Sequence, residues 1–242
     1  MKDIILKISN DFSFSYGTNK LFSSKKNISF EKGKIYGIYG SNGTGKTSFL
    51  NILNTFTVPT TGIIEYNFKN ILYSFDNKDN NKTTKIISNN IRRCFQIPML
   101  VDELSIIDNI VLGKREYRNE RFIDSILYTK GNNYKDIKNL LEQLNINPNN
   151  TASVLSYGQR RIIANLQILY TSPDLILLDE PFVGLHSDVI QFFKDEYLKK
   201  ATLGTTIILV EHLAQNLKNF ADEYLIIKNK ELKLVNNYVG LS

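Results

Sequence analysis

Apolar residues recur in three rhythms along this chain of 242 residues, and each rhythm predicts a different kind of element. Over residues 1–34 they alternate with polar ones, as in Ile4-Ile5-Leu6-Lys7-Ile8, Phe12-Ser13-Phe14-Ser15-Tyr16 and Ile28-Ser29-Phe30. Period 2 with Gly17 and Gly33 as turns predicts short antiparallel strands. Ile35-Tyr36-Gly37-Ile38-Tyr39 then reads as a short buried strand, and residues 48–53 carry apolar positions at helical spacing. Residues 63–68 and 71–75 read as a further hairpin, and the Asn, Asp and Lys of residues 76–85 as a solvated loop. Over residues 101–143 the spacing is helical. Leu104, Ile107, Ile110 and Val111 form one face, Phe122, Ile123 and Ile126 a second, Ile137, Leu140, Leu141 and Leu144 a third, and Asn147-Pro148-Asn149-Asn150 ends the block. Thereafter a helix over residues 157–170, a strand over 175–178, a helix over 190–198 and a strand over 206–210 alternate. That alternation predicts an α/β protein with a mainly parallel sheet, ligands at the carboxyl ends of its strands, and a helical insertion.

The length accommodates one large α/β domain, or a core with a subdomain. Apolar residues make up 42% of the chain and charged residues 22%, values ordinary for a globular protein. The apolar runs are strand-sized and none approaches the ~20 residues of a membrane helix. Ile4-Ile5-Leu6 is too short for the apolar core of a signal peptide, so a cytoplasmic location is expected. Cys94 is the single cysteine, which rules out an internal disulfide and reads as a small half-buried apolar residue. The formal charge of +6 comes from 30 basic against 24 acidic side chains, dispersed without a run of four basic residues. It reads as solvated surface with at most a weak bias toward anionic lipid, and no nucleic-acid partner is expected.

Chemistry enters between the first buried strand and the helix after it. Gly40-Ser41-Asn42-Gly43-Thr44-Gly45-Lys46-Thr47 is a complete GxxxxGK[ST] phosphate-binding loop in the strand–loop–helix setting that motif requires. Its glycines let successive backbone N–H groups turn inward as an anion nest, and the following helix adds the positive end of its dipole. Lys46 is then expected to reach the β- and γ-phosphates of a nucleoside triphosphate, and the Thr47 hydroxyl to ligate Mg²⁺. Downstream, Leu175-Ile176-Leu177-Leu178-Asp179-Glu180 is an apolar strand ending in two carboxylates. Asp179 is placed to sit beside the metal, and Glu180 to polarise a water for in-line attack. In Leu155-Ser156-Tyr157-Gly158-Gln159, Ser156 is a good helix N-cap, and with Gly158 it opens a helix N-terminus to a phosphate.

Taken together, these motifs resemble the nucleotide-binding subunit of ATP-binding cassette (ABC) transporters, and the resemblance spans essentially the whole chain. It implies a phosphate-loop NTPase core with an antiparallel β subdomain over residues 1–95 and 165–242, and a helical subdomain over residues 96–164, all within one ABC ATPase domain. It also implies that Tyr16 stacks on adenine, that Gly40 to Ser48 hold the nucleotide, that Gln96 touches Mg²⁺ and faces the membrane partner, and that His212 contacts the γ-phosphate. Glu180, His212 and Gln96 would carry catalysis on ATP, and Thr47, Gln96 and Asp179 would surround Mg²⁺. Ser156, Tyr157, Gly158 and Gln159 resemble the family signature and would act on the nucleotide of a second subunit, identical or paralogous, in an ATP-driven dimer. Separate transmembrane subunits would receive the work, which places the chain on the cytoplasmic face of the cell membrane. Tyr157 in the signature, Arg93-Cys94-Phe95-Gln96, and Ile107-Asp108-Asn109-Ile110-Val111-Leu112-Gly113 resemble, within the family, the ATPase subunits of branched-chain amino acid and urea importers. His186 departs from the family, which usually has Asp after Gly184-Leu185 in its D-loop. A soluble ABC ATPase of the cofactor-assembly type is the alternative function.

Overall fold

A computed structural model describes residues 3–78, 81–112, 132–212 and 214–236. It divides into two compact units. The first comprises Met1–Arg93, Pro173–Pro181 and Lys194–Ser242; the second comprises Cys94–Ser172 and Phe182–Phe193.

In the first unit, β1 (Ile4–Ile8) pairs antiparallel with both β4 (Ile28–Glu31) and β6 (Ile64–Phe68), and β6 with β7 (Ile71–Phe75), giving the order β4-β1-β6-β7. The other strands are β2 (Ser13–Tyr16), β3 (Asn19–Ser23), β5 (Ile35–Tyr39), β8 (Ile91–Cys94), β9 (Leu175–Asp179), β10 (Thr206–Val210), β11 (Glu223–Lys228) and β12 (Glu231–Val235). They form a second sheet in the order β2-β3-β12-β11-β5-β10-β9-β8. Its centre is parallel: β5 lies between β10 and β11, and β9 flanks β10. β9 and β10 have no exposed position, which is why they read as apolar runs. Helix α1 (Lys46–Leu53) buries Phe49, Leu50, Ile52 and Leu53 completely in the same core as Phe12, Phe22 and Phe30.

The alternating stretch at the start forms strands as expected, but it feeds both sheets. β1 and β4 enter one, and the β2–β3 hairpin, turning on left-handed Gly17 (φ 56°), enters the other. The solvated-loop expectation for residues 76–85 needs correction. Helix α2 (Asn81–Asn89) begins inside it, because Thr83, Thr84 and Ile87 fall on one side and Ile87 is fully buried. A polar majority masked an amphipathic helix with a single deep anchor.

Gly62 shows how tightly β6 joins the rest. Its φ is 84°, and a Cβ there would lie 2.5 Å from Phe12 Cα and 2.7 Å from Phe12 N. Backbone cannot yield as a side chain can, so Gly62→Ala combines left-handed strain with a collision. We expect a loss of at least ~3 kcal/mol, read as a drop of roughly 6–12 °C in the thermal midpoint; an unchanged midpoint would contradict this packing.

The second unit holds α3 (Ile106–Leu112), α4 (Asn132–Gln143) and α5 (Tyr157–Leu169). It also holds the start of α6 (Ser187–Thr202), which continues into the first unit; the short α7 (Ala214–Leu217) lies in the first unit. Ile107, Ile110 and Val111 are buried on α3, and Ile137 and Leu141 on α4. Leu104, expected on the face of α3, stands in the turn before it, where its N–H donates to the Val101 carbonyl at 3.2 Å. Ser105 caps the helix instead, its hydroxyl accepting from the Asp108 N–H at 3.1 Å. Phe122, Ile123, Ile126 and Gly113 lie outside the described residues. Cys94 is fully buried, deeper than the half-buried position expected. Among the described residues no helix is long and apolar enough to cross a membrane.

Candidate functional site

Strand register aligns the ends of three neighbouring strands. Ile38 of β5 stands opposite Val210 of β10, and Val210 opposite Asp179 of β9. The phosphate loop leaves β5, Asp179-Glu180 closes β9, and Glu211-His212 follows β10, so three chemically loaded segments leave one edge of the first unit's sheet together.

Within the loop, Gly43 (φ 77°) and Gly45 (φ 96°) are left-handed, and only glycine takes those angles without strain. Gly45 has a second reason to be bare: a Cβ would sit 2.9 Å from the Phe22 ring. The β2–β3 hairpin thus packs directly under the loop. Lys46 folds back over the loop and donates to the Gly40 carbonyl at 2.7 Å and the Ser41 carbonyl at 3.0 Å. Burial lowers its pKa, opposed by the negative charges of Glu180 and Asp179. A partly desolvated ammonium within reach of two carboxylates seeks anionic oxygen.

The Thr47 hydroxyl donates to Asp179 Oδ1 at 3.3 Å. Arg93 donates to Asp179 Oδ2 at 3.1 Å and to Asn51 Oδ1 at 2.6 Å, and both members of the Arg93–Asp179 pair are almost fully buried. Burial pushes the Asp179 carboxyl above the usual carboxylate range, opposed by the Arg93 charge and hydrogen bond and by the Thr47 hydroxyl. Asn51 was not singled out in the sequence, and Arg93 entered only as part of the Arg93-Cys94-Phe95-Gln96 resemblance. The available signal was weak, because β8 reads Ile-Arg-Arg-Cys and only the fold separates buried Arg93 from half-buried Arg92.

Glu180 has φ 52°, unusual for a residue with a side chain, and its N–H donates to the Val210 carbonyl at 3.0 Å. That left-handed step turns the chain immediately after Asp179 and leaves the Glu180 side chain only 10% exposed, with Oε1 at 2.5 Å from Nε2 of His212. Tyr16 ends β2 with its ring edge-on to Phe14 at 4.9 Å and half of its surface open. Ser41, Asn42 and Gly43 are exposed, and Ser48 lies in the first turn of α1.

The second unit contains Gln96 and the Ser156–Gln159 segment. Ser156 caps α5 in a reciprocal box: its hydroxyl accepts from the Gln159 N–H at 3.3 Å, and Gln159 Oε1 accepts from the Ser156 N–H at 3.0 Å. Gly158 is bare because the Gly184 carbonyl would lie 3.1 Å from a Cβ there. The Tyr157 hydroxyl donates to the Gln96 carbonyl at 3.1 Å. His186 is exposed, and its carbonyl accepts the Ile190 N–H at 3.0 Å as α6 begins.

A glycine loop between strand and helix, a buried carboxylate on its threonine, and a carboxylate–imidazole pair beside them define a phosphate-loop nucleotide hydrolase. The sequence profile of the ABC transporter family matches residues 24–183. The chain belongs to that family, as an ATP-binding and ATP-hydrolysing subunit. It is 28% identical to the cytochrome c biogenesis ATP-binding export protein CcmA of Reclinomonas americana, over 92% of each chain. It is 25% identical to the high-affinity branched-chain amino acid transport ATP-binding protein BraF of Pseudomonas aeruginosa, over 83% of this chain and 80% of that protein. The fold matches that of the ATP-binding cassette MJ0796, solved as a dimer in a post-hydrolysis state bound to ADP and Pi. That match has a TM-score of 0.72 and 22% identity, and covers 96% of this chain and 98% of the other.

Proposed function

We propose that this subunit powers transport through separate membrane-spanning subunits by closing on ATP as a dimer and reopening after hydrolysis. The observation that carries the reading is the Glu180–His212 pair at 2.5 Å, seated where β9 and β10 deliver their ends to the phosphate loop. Glu180 holds the attacking water and accepts its proton, and His212 fixes the carboxylate and meets the γ-phosphate. Lys46 exchanges its two loop carbonyls for phosphate oxygens, which carry more charge and hold the ammonium more strongly.

Thr47 and Asp179 present only oxygen, the donor type that suits a hard cation, so this pair fits Mg²⁺. When bound, Mg²⁺ supplies positive charge against the phosphates. Arg93 holds the second Asp179 oxygen, which leaves the first facing Thr47.

The capped N-terminus of α5 suits a phosphate of the opposing subunit, with Ser156 and Gly158 as its contacts and Tyr157 and Gln159 setting their position. A dimer in the related MJ0796 cassette supports this arrangement. Transport by BraF supports a membrane partner, and a peripheral place on the cytoplasmic face follows from it. Light scattering tests the core of the reading: the mass should double on adding ATP under non-hydrolysing conditions and return to the starting value with ADP. Persistence of a monomer with saturating ATP would overturn the homodimer. In that case a paralogous cassette, sought among proteins that copurify with the detergent-solubilised transporter, becomes the partner.

A further inference from the structure

Arg161 is 0% exposed, and among the described residues it forms no ion pair with a carboxylate. Its Nη1 donates to the Phe95 carbonyl at 3.0 Å, and its Nη2 donates to the Gln96 carbonyl at 2.5 Å and to the Tyr157 hydroxyl. The guanidinium carbon lies 5.2 Å from the centre of the Tyr157 ring, and Nε has no hydrogen-bond partner among the described residues. A buried cation without counter-charge is costly, and carbonyl dipoles and a ring face offset only part of that cost. Tyr157 closes the arrangement by donating its own proton to the same Gln96 carbonyl. A Cβ added at Gly184 of the D-loop would lie 3.8 Å from the Tyr157 ring, in ordinary van der Waals range.

Two side chains one helical turn apart on α5 therefore hold the two successive peptide planes at Gln96, the glutamine loop. We propose that Tyr157 and Arg161 are positioning residues, a clamp that makes the glutamine loop and the signature end of α5 move as one body during the ATPase cycle. Its consequence for turnover rests on the ATPase reading; its existence does not. Tyrosine at position 157 supplies the hydroxyl and ring that the clamp needs. Arginine is required at 161 because a planar fork reaches two carbonyls and a hydroxyl at once, whereas an ammonium is a single point charge.

The test is ¹⁵N relaxation on the nucleotide-free chain, comparing the parent with Tyr157→Phe and Arg161→Lys. The Gln96 and Ile97 amides belong to the two held peptide planes. Their order parameters should be near ~0.85 in the parent, fall below ~0.6 in Arg161→Lys, and lie between these in Tyr157→Phe. Turnover at saturating ATP should fall about threefold to tenfold in Tyr157→Phe, the scale of one hydrogen bond, and further in Arg161→Lys. Order parameters equal to the parent's in both variants overturn the clamp, and lowered order parameters with full turnover overturn its role. Should Arg161→Lys fail to fold, Tyr157→Phe, a substitution at a half-exposed site, decides alone. A parent that does not bind ATP at all would refute the ATPase reading, while the relaxation data would still judge the clamp.

Discussion

Lys46→Ala is expected to abolish nucleotide-dependent activity, with a loss of ~10²–10³-fold or more in turnover, the cost of removing one aligned charge donor from a developing anion. The structure gives the reason a neighbour cannot substitute. Lys46 is the sole lysine or arginine of the phosphate loop, and it is already partly desolvated and bound to the Gly40 and Ser41 carbonyls. Alanine leaves both carbonyls without that donor and leaves Asp179 and Glu180 facing incoming phosphate without the intervening cation. Binding of a fluorescent ATP analogue and phosphate release should fall together. Equal turnover by variant and parent, in a preparation free of other ATPases, would refute the assignment of the loop.

Glu180→Gln should separate binding from chemistry. The amide keeps the size of the side chain and can still meet His212, but it cannot accept a proton from water. Turnover should fall ~10²-fold or more, the scale of a lost general base, while ATP still binds and the subunit accumulates as a closed dimer. Light scattering with ATP and a single-turnover assay read the two effects separately. Full turnover in the variant would move the general base elsewhere. Loss of ATP binding together with turnover would mean that Glu180 serves the local backbone, whose φ of 52° a replacement must also tolerate.

Much of this was legible in the residues because the central strands and the loop obey strong local rules. β9 and β10 are buried on both faces and so read as unbroken apolar runs over Leu175 to Leu178 and Ile207 to Val210. Gly43 and Gly45 are required by backbone angle, and the Ser156 cap by its reciprocal bond to Gln159. Features set by distant parts of the chain were less visible. The β11–β12 hairpin turns on Asn229 and Lys230, both left-handed, and lysine does not announce such a turn as glycine does. Helix α2 hides its one deep anchor, Ile87, among asparagines and lysines. Arg93 and Arg161 looked like two more members of a dispersed basic population, and only tertiary structure reveals that both are buried and engaged. The helical spacing around Leu104 continued the pattern of α3 through residues that the Asn109 side chain ties into a turn, accepting from the Val101 N–H at 2.8 Å.

The wiring of the larger sheet also fixes a sequence of events during synthesis. Strand β1 finds both of its partners within the first 68 residues, so the smaller sheet has its central pairs soon after they leave the ribosome. β5 must wait: its neighbours begin at Thr206 and Glu223, more than 160 residues later. Until they arrive, the strand that carries the phosphate loop has both edges open, and β9 lacks the β10 partner that links it to β5. Such distant parallel pairing is slow and leaves apolar edges unprotected. A nascent chain arrested before residue 200 therefore carries an intact glycine loop on a strand that still lacks both of its neighbours in the sheet.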